Sequence, residues 1–152
     1  MIANPEQLSF IKYGIANPEQ LVLKVLIYNM LIKDFYTIND LTFNGSGIDA
    51  VIKLNPNHEV YLGHFPEQPV VPGVIQLQIV KELLEEVMQA KLMMDNIIQV
   101  KYLMPITPNE NSKLDFSITN KMNGGNRIKS NITIGINDAI FTKARIEFLI
   151  IS

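Results

Sequence analysis

The chain contains no cysteine, which excludes disulfides, thiolate metal ligands and a cysteine nucleophile. It also lacks a long hydrophobic run. The longest, Leu21 to Ile32, is too short to cross a bilayer and is interrupted by Lys24. The N-terminus has neither the basic region nor the small-residue cleavage site of a secretory signal, so a cytoplasmic protein with no membrane part is expected. A basic excess is missing too: 13 Lys and Arg face 15 Asp and Glu, for a formal net charge of -2. That balance argues against a dedicated nucleic-acid binder. The two histidines, His58 and His64, stand six residues apart across proline-rich chain with only Glu59 close by. This is no recognised ligand spacing, and neither a metal nor another cofactor is expected.

A length of 152 residues suits one domain with a single core. The heptapeptide Ile-Ala-Asn-Pro-Glu-Gln-Leu occurs at Ile2 to Leu8 and again at Ile15 to Leu21. Each copy reads as a helix start, with Asn4 or Asn17 as cap, Pro5 or Pro18 at the first helical position and Gln7 or Gln20 reaching back. Two copies are too few for a solenoid. Residues 1–29 are therefore expected to form a helical arm or extension, and residues 30–152 the domain proper.

From Asp34 the pattern changes. Phe35 to Ile38, Leu41 to Phe43 and Ile48 to Leu54 read as strands around a turn at Asn44-Gly45-Ser46-Gly47, a hairpin. Asn55 to Pro72 holds four prolines and both histidines, the composition of an ordered loop. Val74 to Met94 reads as one long helix, since Val74, Leu77, Val80, Leu84 and Met88 recur at helical spacing with Ile75, Ile79, Leu83 and Val87 beside them. Its first half is apolar nearly all round, and its second gains Lys81, Glu82, Glu85, Glu86, Gln89 and Lys91 on one side. Such a helix enters a core and then emerges. Ile97 to Leu103, Lys113 to Thr119, Arg127 to Ile136 and Ala139 to Ile151 complete the strands, with hairpin turns at Asn123-Gly124-Gly125-Asn126 and Asn137-Asp138. One long helix among antiparallel strands is an α+β arrangement, with the sheet wrapped around the helix.

The chemistry is concentrated in Gly63-His64-Phe65-Pro66-Glu67-Gln68-Pro69-Val70-Val71-Pro72-Gly73-Val74-Ile75-Gln76-Leu77-Gln78. Pro66, Pro69 and Pro72 each fix a backbone dihedral and hold His64 in place, as a base requires. Gly73 permits close approach of backbone or ligand. The amides opening the helix are unpaired donors backed by its dipole, suited to polarising a carbonyl. His64 titrates near neutrality and suits proton abstraction. His58 fits no such pattern and is expected at the surface or in a turn.

This stretch resembles the signature of bacterial β-hydroxyacyl-(acyl-carrier-protein) dehydratases: a Gly-His-Phe-Pro turn, a further proline, a Pro-Gly pair and then the central helix. The resemblance implies a hotdog fold and dehydration, or the reverse hydration, of an acyl thioester. In these terms His64 is the general base, the Gly73 amide the oxyanion donor, and Phe65, Pro72 and Val74 line the substrate. It further implies an acyl carrier protein with a phosphopantetheine-linked substrate, and a homodimer or dimer-based oligomer. The family places a Glu or Asp five residues after the Pro-Gly glycine, reaching His from the other subunit, whereas this chain has Gln78. A neutral amide orients a hydroxyl or water but is no ordinary proton donor.

Three readings of Gln78 stay open. It positions a water or hydroxyl while His64 makes both proton transfers, it belongs to a chain paired with a homologue that brings the carboxylate, or it belongs to a chain that binds acyl thioesters without dehydrating them. Glu82, one turn on and about 6 Å away by helix rise, is a poor direct replacement. A polar stripe of Gln78, Lys81, Glu82 and Glu85 facing solvent or a neighbour is the alternative. An acyl thioesterase is a further reading of the same polarised carbonyl. The chain from Lys101 onward is basic, and Lys101, Arg127, Lys129 and Arg145 are candidates to receive an acidic carrier protein.

Overall fold

The structure, a computed structural model, describes residues 34–63 and 67–152. The duplicated heptapeptide and the expected arm lie outside the described residues, and so do His64, Phe65 and Pro66. The element order is β1 (Tyr36–Phe43), β2 (Gly47–Leu54), a short α1 (Val60–Gly63), α2 (Gly73–Met88), β3 (Leu92–Tyr102), β4 (Lys113–Met122), β5 (Arg127–Ile136) and β6 (Ala139–Ile150). The strands form one six-stranded antiparallel sheet in the order β1-β2-β4-β5-β6-β3.

Period-two alternation decides which side of the sheet faces the helix. Leu114, Phe116 and Ile118 of β4 point inward, as do Ile128, Ile132 and Ile134 of β5 and Ala144, Ile146 and Phe148 of β6. Register sets Phe116 opposite Ile134 and Ile128 opposite Phe148, so neighbouring strands offer apolar rows to one surface. Against that surface lies α2, whose six consecutive residues from Ile75 to Val80 are all buried. Only a helix enclosed on every side buries such a run. Two of the six, Gln76 and Gln78, are polar, and their partners shape the site.

The expected hairpins form. Gly124 and Gly125 take φ 82° and 55° between β4 and β5, and Asn137 takes φ 53° between β5 and β6, the left-handed conformation that Gly and Asn adopt most readily. Two expectations need correction. The helix was expected to reach Met94 but ends at Met88, and Leu92, Met93 and Met94 belong to β3, opposite Ile150, Leu149 and Phe148. Gln89 turns left-handed (φ 50°, ψ 47°) and donates from Nε2 to the Glu86 carbonyl at 2.6 Å, closing the helix end. The Leu92 amide then donates to Glu85 Oε2 at 2.9 Å. Long-range pairing overrides a local apolar pattern that fits helix and strand alike. The proline-rich loop also carries a turn of helix, α1, that its sequence did not announce.

Candidate active site

Pro72 leads into α2 with φ -59° and ψ 143°, the extended geometry proline favours. Its carbonyl accepts from Ile75 and Gln76 at 3.1 and 3.2 Å. Among the described residues, no acceptor faces the amides of Gly73 and Val74, so they open the helix as unsatisfied donors. Beside them lies a groove of about 530 Å³ lined mainly by apolar groups, including Val70, Pro72, Val74, Leu103, Met104 and Pro105. Three of the expected site residues, Gly73, Pro72 and Val74, therefore line one wall. His64 and Phe65 lie outside the described residues.

Glycine at 73 has a steric reason. A β-carbon there would sit 2.5 Å from both Cζ and the hydroxyl oxygen of Tyr102, so the close approach is made by an aromatic side chain from the end of β3. Tyr102 pairs with Thr142 across β3 and β6. The Thr142 hydroxyl donates to Gln76 Oε1 at 2.6 Å, and Gln76 Nε2 donates to the Val71 carbonyl at 3.3 Å. This chain of contacts ties the helix start to the sheet and to the incoming loop, which fixes the direction of the Gly73 and Val74 amides.

Gln78 lies elsewhere on the helix and is buried, only 6% exposed. It does not form part of a solvent-facing stripe. Its Nε2 donates to Glu82 Oε2 at 2.9 Å, and the other Glu82 oxygen accepts from the Tyr36 hydroxyl at 2.8 Å. Gln78 Oε1 has no hydrogen-bond partner among the described residues. Burial, and then the Glu82 charge, raise the Tyr36 phenol far above its ordinary value, so it keeps its proton and donates. Glu82 also borders a second cleft, of about 560 Å³, with Glu85, Glu86, Gln89, Lys91 and Ser152. That cleft is acidic and contains neither the helix-opening amides nor Gln78. The groove at Gly73 instead combines apolar walls with the helix-opening amides.

His58 is buried rather than at the surface, at 9% exposed, although it does sit at a turn. Its Nδ1 accepts from the Val60 amide at 3.1 Å, and its ring meets Phe35 edge-on. The accepting Nδ1 places the proton of the neutral ring on Nε2. Tyr61, on α1, has a buried hydroxyl without a partner among the described residues, and burial raises its pKa. The described residues hold no cluster of His, Asp or Glu fit for a metal. None of their helices is long and apolar enough to cross a membrane.

Sequence reasoning missed Tyr36, Tyr102 and Thr142. The available signal was Gln76 and Gln78 themselves, since glutamines inside an otherwise apolar run demand buried partners.

A family model described as ApeI-like, the ApeI dehydratases, matches residues 41–134. The chain belongs to the ApeI-like dehydratase family. It is 34% identical over 113 residues to 3-hydroxyacyl-(acyl-carrier-protein) dehydratase FabZ of Erythrobacter litoralis, covering 67% of this chain and 73% of that protein. A second FabZ, from Lactococcus lactis, is 34% identical over 79 residues, 47% of this chain. The chain spans only about half, 52%, of that relative's length. Among solved structures, the dehydratase heterocomplex ApeI:P of Xenorhabdus doucetiae aligns with TM-score 0.60 at 19% identity, covering 74% of this chain and 96% of that one. A thioesterase from Haemophilus influenzae aligns with TM-score 0.57 at 15% identity, covering 86% and 88%. The two structural likenesses establish the fold that this family member shares with them, a hotdog fold.

Proposed function

We propose that this ApeI-like chain dehydrates a 3-hydroxyacyl thioester, or hydrates the corresponding enoyl thioester, on an acyl carrier protein. The supporting observation is the apolar groove at the Gly73 end of α2, which the Gly63-His64-Phe65-Pro66 motif precedes by a few residues in the sequence. The acyl chain lies along the groove past Pro72 and Val74, with Phe65 covering it. The thioester carbonyl takes the Gly73 amide, whose donor strength is increased by the helix dipole. His64 removes a proton from the carbon next to that carbonyl. As the double bond forms, the bond from the β-carbon to its hydroxyl breaks, and the imidazolium returns the proton so that water leaves. Gln78 lies on the side of α2 away from this groove, so it orients the departing hydroxyl at the site of a second copy, as the resemblance implies for this position. Residues 30–152 carry this activity, with 1–29 as an appended arm.

The carrier docks on the outer sheet face near the groove. Lys101 lies directly opposite Lys143, one residue from the Tyr102 and Thr142 pair. Unlike charges would stabilise that cross-strand pair, and like charges there favour an anionic ligand. Arg127 is already engaged by Asp95, and Lys129 faces Glu147, so Lys101, Lys143 and Arg145 contribute most to the docking. Among the described residues, an edge strand of 11 residues, β3, is left with one unpaired side, and a second copy is the partner that covers it.

A heteromeric form is the second reading. It is favoured by Gln78, which has no titratable proton, and by the likeness to a heterocomplex. The test is a turnover assay on a 3-hydroxyacyl carrier thioester with the parent, His64→Ala and Gln78→Glu. The parent is expected to form an enoyl thioester, and His64→Ala to lose roughly 10²- to 10⁴-fold. Release of free thiol instead would mean a thioesterase. A parent that is silent alone but active beside a carboxylate-bearing homologue would mean the heteromeric form, and an active His64→Ala would reject the assigned base.

A further inference from the structure

Among the described residues lining the groove at the start of α2, Gln76 and Tyr102 carry polar side chains, and none is charged. Gln76 has both ends of its amide engaged, by Val71 and Thr142. Tyr102 is 47% exposed, and the head of its ring rests on Gly73: a β-carbon there would meet both Cζ and the hydroxyl oxygen at 2.5 Å. The Gly73 nitrogen is one bond from that α-carbon, and among the described residues no acceptor faces its hydrogen. A phenol hydroxyl and a helix-opening amide are thus neighbours at one end of an apolar groove. With no charged group lining it, negative charge on a bound carbonyl has to be met by neutral donors, and in a weakly polar surrounding each counts for more than in water.

We infer that the Tyr102 hydroxyl is a second donor to the thioester carbonyl, acting beside the Gly73 amide. The inference rests on the dehydratase reading and adds a side chain from the end of β3 to a site otherwise built on the helix. A carbonyl oxygen has two lone pairs, so it accepts from an amide and a hydroxyl at once. Charge that develops on that oxygen during the reaction strengthens both bonds. The phenol hydrogen turns about its C–O bond, so a partner held before binding is exchanged for the carbonyl on binding. The backbone around the ring is fixed on both sides. Tyr102 pairs with Thr142, and the next amide, that of Leu103, donates to the Phe141 carbonyl at 2.8 Å.

The test gives the full chain two ligands: butyryl pantetheine labelled with ¹³C at its carbonyl, and S-butyl pantetheine, the thioether that lacks this oxygen. In isotope-edited infrared spectra the thioester carbonyl stretch is expected to move to lower frequency on binding to the parent. Tyr102→Phe is expected to lose part of that shift, the Gly73 amide keeping the rest. By calorimetry, Tyr102→Phe is expected to bind the thioester roughly threefold to tenfold more weakly, about what one net hydrogen bond contributes, and to bind the thioether as the parent does. An undiminished carbonyl shift in Tyr102→Phe overturns the inference.

The thioether separates hydrogen bonding from packing. Equal weakening of both ligands in Tyr102→Phe would mean that the phenol only walls the groove, and the assignment fails. A readout in the opposite direction comes from 3-fluorotyrosine at position 102, whose more acidic hydroxyl is a stronger donor. It is expected to enlarge the carbonyl shift, and an unchanged shift would count against Tyr102. Neither measurement needs turnover. If the parent binds neither ligand, the dehydratase reading of the groove fails and the inference with it. If the parent binds the thioester and dehydrates the 3-hydroxyacyl form while Tyr102→Phe keeps the full shift and affinity, the inference alone fails.

Discussion

Gln76 and Gln78 stand two positions apart on α2, on nearly opposite sides of its axis, and both are buried. On the groove side, Gln76 uses both ends of its amide, donating to Val71 and accepting from Thr142. On the other side, among the described residues, Gln78 uses only its donor, on Glu82. A saturated buried amide contributes to the fold, because removing it strands its partners. A half-saturated one contributes little net stability and retains capacity for a ligand. Two chemically identical side chains in one helix therefore differ in what the scaffold takes from them: Gln76 is used at both ends and Gln78, among the described residues, at one.

The largest expected effect that tests this contrast is on stability at Gln76. Gln76→Leu leaves the Val71 carbonyl and the Thr142 hydroxyl without partners and is expected to cost roughly 2–4 kcal/mol by urea denaturation. A loss below about 1 kcal/mol would break the comparison. Gln78→Glu should show a smaller effect that depends on pH. It sets a second carboxyl against Glu82, and the like charges raise the pKa of the pair above the unfolded value. Stability of such a group is fully present below its unfolded pKa and is lost as pH rises through the folded one. The variant is therefore expected to match the parent near about pH 4 and fall about 1–2 kcal/mol below it by neutrality. A pH-independent difference would mean that the new carboxyl swings clear of Glu82.

The smallest effect is expected at Tyr36. Burial and the Glu82 charge raise its phenol pKa, so its contribution is present below the unfolded value of about 10 and is lost as pH rises toward the folded one. Thermal scans above about pH 10 should show the parent losing melting temperature faster than Tyr36→Phe. Parallel decline of the two would place Tyr36 outside the Glu82 network.

Much of the architecture was legible. Alternation in Lys113 to Thr119 and Arg127 to Ile136, with Asn-Gly-Gly-Asn between them, is a local signal and marks the β4 and β5 hairpin. Val74 to Met88 was legible for the same reason, since a run apolar on every face has to be enclosed. The end of that helix was not. Leu92, Met93 and Met94 fit either element, and pairing with residues more than fifty positions away settled the choice. At the site, the proline-rich stretch identified Pro72, Gly73, Val74 and Gln78 as residues of interest, and the fold then separated them. Pro72, Gly73 and Val74 line the groove, whereas Gln78 faces Glu82 and Tyr36.

By itself, the sequence determined the α+β class, the helix that must be buried, the loop that leads into it and the family those residues resemble. These follow from periodicity, turn chemistry and fixed spacing, which act over a few neighbouring residues. The tertiary structure alone decided that Tyr102 occupies the space beside Gly73, that Thr142 completes Gln76, and that Glu82 with Tyr36 orients Gln78. Those contacts join positions far apart in the chain, and a hydrogen bond or a steric contact between them exists only once the sheet has brought both within a few ångströms.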